Sequence, residues 1–241
     1  MRESGAKLPR ASRTSLTQLH RPIVANPIRI VESPAVGDKF ARLANLQSVV
    51  APCTKCPHLA RSRTQTVFGV GNPDAEVMFI GEAPGAAEDA RGEPFVGPAG
   101  QLLTKIIGAM GLTRDEVYIA NVLKCRPDMP RGSFGNRPPT PDEMQTRLPY
   151  LAEQIQIIQP KVLVALGATA VEGLLGTRNP MHAMRGRWHA HEERPLMVTY
   201  HPSYLLRPEN ASQKRKVWED MLQVLERIGR PITEKQRRYF A

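Results

Sequence analysis

The sequence predicts an α/β fold: a three-layer α/β/α sandwich around a central, mainly parallel four-stranded sheet. Three observations predict it. Four short apolar runs, at 77–80, 117–120, 162–166 and 196–200, are nearly continuous rather than alternating, as in strands buried on both faces of a parallel sheet. Segments with helical spacing and capping signals separate them, so the chain alternates β with α and implies right-handed crossovers. The length of 241 residues suffices for one such core plus tails.

Residues 1–38 carry six basic residues, several prolines and no sustained period. They read as a disordered basic tail, either a loose tether to phosphate or an extension without function. The domain spans 39–229. Phe40, Leu43, Leu46 and Val50 recur at helical spacing, so a helix leads into Cys53. After the first strand a helix is expected over 98–110. The second strand is followed by a helix over 141–159, opened by Thr140 as N-cap, Pro141 and Glu143. The third strand leads to a helix over 168–175, ended by Gly176. A last helix runs from about 211 to 228 and stops at Gly229, leaving 230–241 as a C-terminal tail.

Lys and Arg number 33 against 23 Asp and Glu, a net charge of +10. That favours a polyanionic partner, nucleic acid first, although a merely basic protein is about as common. No apolar run reaches the roughly eighteen residues of a membrane span, so no membrane partner is expected. The basic start lacks the apolar stretch of a secretory signal, and Glu3 and the scattered prolines speak against a transit peptide. Three cysteines, an odd number, include Cys53 and Cys56 in a C-x-x-C pattern. This points away from a disulfide framework, towards metal-binding or redox thiols in a reducing, cytoplasmic setting.

In a doubly wound sheet the ligand lies beyond the carboxyl ends of the strands. The first strand runs there into Gly81, Glu82, Ala83, Pro84 and Gly85, then Glu88, and on through Phe95 to a helix start. The small residues let backbone approach a ligand, and Phe95 offers a flat face; equally, Phe95 could be core and the glycines turns. Asn121 ends the second strand, able to accept one hydrogen bond and donate another, or simply to form a turn. His201 ends the fourth, held extended by Pro202, as a catalytic or a structural histidine. Pro202, Ser203 and Tyr204 read as a loop able to touch a phosphate backbone.

Together these pieces resemble the family 4, iron–sulfur type, uracil-DNA glycosylases over residues 39–228. The segments stand in the family's order: Cys53 and Cys56, the Val-Phe-Gly-Val-Gly of 67–71, the Gly-Glu-Ala-Pro-Gly of 81–85, the Pro-Phe-Val-Gly of 94–97, Asn121 with Lys-Cys-Arg-Pro at 124–127, the Asn-Arg-Pro-Pro of 136–139, Arg185 and Gly186, and His-Pro-Ser-Tyr at 201–204. The resemblance implies a DNA repair enzyme that hydrolyses the N-glycosidic bond of uracil flipped out of DNA, leaving an abasic site. It implies that Phe95 stacks on uracil, Asn121 reads its Watson–Crick edge and His201 faces O2. Glu88 orients the attacking water or lines the pocket near uracil C5, and Glu82 and Ala83 complete the loop. The turns at Arg185 with Gly186 and at Ser203 with Tyr204 press on the DNA strand or are ordinary turns. The expected partner is uracil-containing DNA and the protein is expected to be a monomer.

The resemblance also implies a 4Fe–4S cluster on four cysteines. Cys53, Cys56 and Cys125 match; the fourth position is Arg147, which does not ligate iron. The stretch 128–134 reads as an insertion. The leading expectation is a weakened cluster with His58, a carboxylate or water as fourth ligand, since its loss would release the other three cysteines; zinc in its place, or no metal with Arg147 in the gap, remain open. The rival functions are a non-catalytic protein that binds uracil-bearing or single-stranded DNA, and a redox protein built on the C-x-x-C pattern.

Overall fold

A computed structural model of the chain describes residues 38–127, 129 and 135–240. The expected basic tail, except Asp38, and the 128–134 insertion, except Met129, lie outside the described residues.

The amphipathic start forms helix α1, Lys39–Val50, capped by the Asp38 carboxylate accepting from the Ala41 N–H at 3.1 Å. Helix α2, Pro57–Ser62, follows the C-x-x-C turn. Strands β1, Val70–Gly71, and β2, Val77–Gly81, come next, then helices α3, Ala86–Arg91, and α4, Pro98–Ala109. Strand β3, Tyr118–Asn121, precedes helix α5, Pro141–Ile158. Thr140 caps α5 through the expected reciprocal pair: its hydroxyl accepts from the Glu143 N–H and the Glu143 carboxylate accepts from its own. Strand β4, Val162–Leu166, and helix α6, Ala168–Leu175, fall where the sequence placed them. Helix α7, Met181–Met184, leads into the hairpin of β5, Trp188–His191, and β6, Arg194–Thr199. Helix α8, Pro202–Leu205, helix α9, Gln213–Arg227, and helix α10, Glu234–Arg237, complete the order.

The sheet has six strands in the order β1-β3-β2-β4-β6-β5, two more than the four expected. The inner four are parallel, with β2 between β3 and β4. The added edges, β1 and β5, are antiparallel. Neither announced itself by composition, since β1 is two residues long and β5 is half-exposed and rich in histidine. The buried runs still alternate between faces. Met78, Ile80, Leu163 and Ala165 join one core with α1, α5 and α6; Val77, Phe79, Val162 and Val164 join the other with α4 and α9. These are the two helical layers. Residues 230–240 pack back on α9 and α4: the Trp218 Nε1–H donates to the Gln236 carbonyl at 2.8 Å, and the Gln236 amide donates to the Ala109 carbonyl at 3.0 Å. Among the described residues no helix is long and apolar enough to cross a membrane.

Candidate active site

The carboxyl ends of β2, β3, β4 and β6 open onto one cavity of about 440 Å³. Phe95, Asn121 and His201 all line it, from three separate stretches of chain, together with Glu82, Ala83, Glu88 and Ser203. The mutual fit of the three is tight. A Cβ at Gly81, where β2 ends, would stand 2.4 Å from Asn121 Oδ1 and 2.5 Å from Phe95 Cζ, so glycine is required.

Phe95 is 6 % exposed and takes a left-handed backbone, φ 55°. That conformation costs about 1–3 kcal/mol in a non-glycine residue and persists only when its surroundings hold it. Arg114 does so, its guanidinium donating to the Phe95 carbonyl at 3.2 Å and the Pro94 carbonyl at 2.9 Å. The start of α4 closes from the other side: a Cβ on Gly100 would lie 1.9 Å from the Phe95 carbonyl oxygen. The ring stands 5.5 Å from the His201 ring, tilted by 32°.

Asn121 is 2 % exposed, and among the described residues its Oδ1 has no hydrogen-bond partner. A bare buried acceptor costs about 1–3 kcal/mol, so this oxygen awaits a donor. Its backbone is fixed by Lys124, a fully buried ammonium donating to the Asn121 carbonyl at 2.9 Å and to the Gln154 side chain. Burial pushes that ammonium down to about 7. Gln154 is in turn fixed, donating to the Phe68 carbonyl at 3.0 Å.

His201 is the N-cap of α8. Its Nδ1 accepts from the Ser203 N–H at 3.2 Å and lies 2.8 Å from the Ser203 hydroxyl. Accepting at Nδ1 leaves the proton of a neutral ring on Nε2. Burial holds the ring neutral, pushing its pKa down to about 4 against the attraction of Glu88. Gly167, at φ +89°, lets the ring settle at the end of β4: a Cβ there would be 2.9 Å from His201 Cβ.

Glu88 is bound to backbone. Its carboxylate accepts from the N–H groups of Val96 at 3.0 Å, Gly97 at 2.8 Å and Gly85 at 3.1 Å, clamping two loops of the cavity wall. Glu82 accepts from the Thr169 hydroxyl, tying the end of β2 to the start of α6. At the turn of Arg185 and Gly186, the Arg185 guanidinium pairs with the fully buried Asp220 and donates to the Lys216 carbonyl at 2.8 Å, while Gly186 N–H bonds the Val198 carbonyl at 3.0 Å. A buried carboxylate needs that cation, so this turn anchors β6. Residues 202–204, expected as a loop, lie in the short helix α8; Ser203 faces the cavity, and Tyr204 stacks on Tyr200 at 4.9 Å. Asn136, Arg137, Thr169 and Arg207, to which sequence reasoning assigned no role, also line the cavity; the Asn-Arg-Pro-Pro motif was the available signal for the first two.

The three cysteines are buried and unpaired. Arg147, 0 % exposed, donates from Nη1 to Cys53 Sγ at 2.9 Å, and the Tyr150 hydroxyl donates to the same sulfur at 3.2 Å. Arg63 donates to Cys125 Sγ at 2.9 Å. His58 is turned to Glu143 Oε1 at 2.7 Å, which Arg137 also binds at 2.7 Å. Burial would raise the Glu143 carboxyl, but these donors bring it down to about 2. Among the described residues no group of three or more His, Cys, Asp or Glu is placed to hold a metal ion. The donor set therefore fits neither a cluster on four thiolates nor zinc completed by His58.

The family model of the uracil DNA glycosylase superfamily matches residues 68–222. The chain is similar to the type-4 uracil-DNA glycosylase of Thermotoga maritima, 44 % identical over 71 % of this chain and 87 % of that protein. It is 49 % identical to that of Archaeoglobus fulgidus over 51 % of this chain and 58 % of the relative. The type-4 enzyme of Pyrobaculum aerophilum is 41 % identical over 68 % and 85 % of the two chains.

Proposed function

The chain belongs to the uracil DNA glycosylase superfamily, and from that premise we propose that it removes uracil from DNA by hydrolysing the N-glycosidic bond of a nucleotide flipped into the cavity, leaving an abasic site. The observation that carries this reading is the unpartnered, buried Asn121 Oδ1 beside an aromatic face and a neutral imidazole.

Uracil offers an N3–H donor and an O4 acceptor. Asn121 Oδ1 accepts the first and its amide N–H donates to the second. Cytosine reverses both, so it would leave the amide oxygen facing a lone pair. Rejecting a reversed pattern in a buried site is worth about 10⁴-fold. Phe95 stacks on the base. His201 directs Nε2–H at O2, where negative charge grows as the bond from C1′ to the base breaks and the electron pair stays with the base. A neutral, fixed donor stabilises that charge more than it stabilises bound uracil. The water oxygen bonds to C1′ and its proton leaves to solvent or to the departing base. Glu88 has three of its roughly four acceptor positions filled by backbone, and the last is free to orient that water while the loops stay clamped. No step runs through a metal or cluster.

The substrate is uracil-containing DNA. Exposed Arg207 and Ser203 at the cavity rim suit its phosphates. One chain supplies every residue used, so a monomer suffices. Cysteines outside disulfides support a reducing, intracellular setting. The test is incubation with an oligonucleotide holding a single uracil, followed by alkali. Strand breakage at uracil and not at cytosine or thymine is expected. Retention of the DNA without breakage would sink the reading and leave a binding module.

A further inference from the structure

We propose that Arg147 replaces both the fourth ligand and the metal, so that a guanidinium seated among three cysteine sulfurs, and no iron–sulfur cluster, fastens the C-x-x-C turn and the segment after β3 to helix α5.

Arg147 lies inside α5 and is wholly buried. Its Nη1 stands 2.9 Å from Cys53 Sγ. A metal bonds a thiolate at about 2.3 Å, and a guanidinium nitrogen donating to the same sulfur competes for it. Tyr150, one helical turn on and on the same face, binds that sulfur from the other side. Cys125 is engaged in the same manner by Arg63, whose second nitrogen donates to the Ala51 carbonyl at 3.3 Å and so stitches the turn before Cys53 to the segment that follows β3. Cys53, Cys56 and Cys125 all attract the Arg147 charge.

Charge makes the exchange coherent. Guanidinium stays protonated and cannot ligate iron, and a cation with no exposure requires anions around it. The Cys53 sulfur, within hydrogen-bond distance, is the acceptor that Arg147 meets. Among the described residues its Nε and Nη2 find no hydrogen-bond partner, so the contact to Cys53 is the bond that seats the group. A cluster site and this site share a task, joining the same three stretches of chain; the cation inverts the sign at the centre and removes the need for metal.

The test uses the full chain expressed with ample iron and purified without oxygen. Iron, zinc and acid-labile sulfide are measured per chain, with the visible spectrum and Tm before and after chelator treatment. Expected are trace metal and sulfide, no broad visible band, and a Tm that the chelator does not move. Stoichiometric iron with sulfide, or stoichiometric zinc, would overturn the proposal. R147C, restoring four thiols, should gain iron and sulfide on reconstitution; a folded R147C that gains none would overturn the assignment of this position. R147M keeps the bulk and removes the charge, and should lower Tm by about 10 °C, as for a broken buried pair. An unchanged Tm would show that the guanidinium fastens nothing. None of these readouts depends on uracil excision, so they stand or fall apart from the activity.

Discussion

Asn121 illustrates how a single amide can carry specificity only because its neighbours remove its freedom. Lys124 holds its carbonyl, Gly81 leaves it room, and Phe95 closes over it. Asn121→Asp replaces the donor with a second acceptor. The ratio of uracil to cytosine excision should fall by about 10²-fold or more, because a carboxylate tolerates the cytosine amine; single-turnover excision on matched oligonucleotides measures it, and an unchanged ratio would remove Asn121 from its role. His201 yields a pH signature. Its folded pKa of about 4 lies below the ordinary 6.5, so the ring is neutral and Nδ1 can accept throughout the neutral range. Single-turnover excision should stay flat from neutral pH down to about 5 and fall through 4, where protonated Nδ1 loses its Ser203 N–H bond. The stability sign runs the same way: the unfolded ring takes up its proton first, so this contribution is present above the unfolded pKa and is lost as pH falls through the folded one. A profile breaking near 6.5 would mean that the imidazole is solvated.

At the scale of elements, the cavity is built where helices and strands meet at backbone distance. The start of α4 touches the Phe95 peptide, which is possible only with glycine at 100. Gly100→Ala should force α4 or the Phe95 turn to move, lowering Tm by roughly 2–9 °C, as overpacking does, and excision by at least about 10-fold through the misplaced ring. Equal activity and stability in the variant would show that the left-handed Phe95 is not held by that helix. The Thr140 cap, the α6 termination at Gly176 and the continuous apolar strands were legible because each depends on a few adjacent residues. Strands β1 and β5 were not, because an edge strand needs only a partner's free N–H and C=O groups and leaves no apolar run.

For the whole molecule, the net charge of +10 sets how it meets DNA. If about six phosphates are neutralised, affinity for an uncleavable uracil analogue in DNA should fall about 10³-fold between about 50 and 200 mM salt. A nearly salt-independent affinity would contradict binding along a phosphate backbone. The internal Arg185–Asp220 pair cancels within itself and leaves that surplus as it is, whereas the wholly buried Arg147 counts in it without reaching the surface.

From residue order alone followed the layered α/β class, the helix starts and stops, the four buried strands, the candidates Asn121 and His201 at strand ends, and Phe95 in the loop before α4. These depend on local periodicity and on where a parallel sheet leaves its ligand crevice. Only the folded chain decided that Glu88 clamps three backbone amides, that Arg185 turns inward to Asp220, and that Arg147 sits against Cys53 sulfur. Each of these is a pairing of a charge with groups distant in sequence or with main-chain donors. Such a choice is set by which partner burial leaves within reach, and the order of residues does not record that distance.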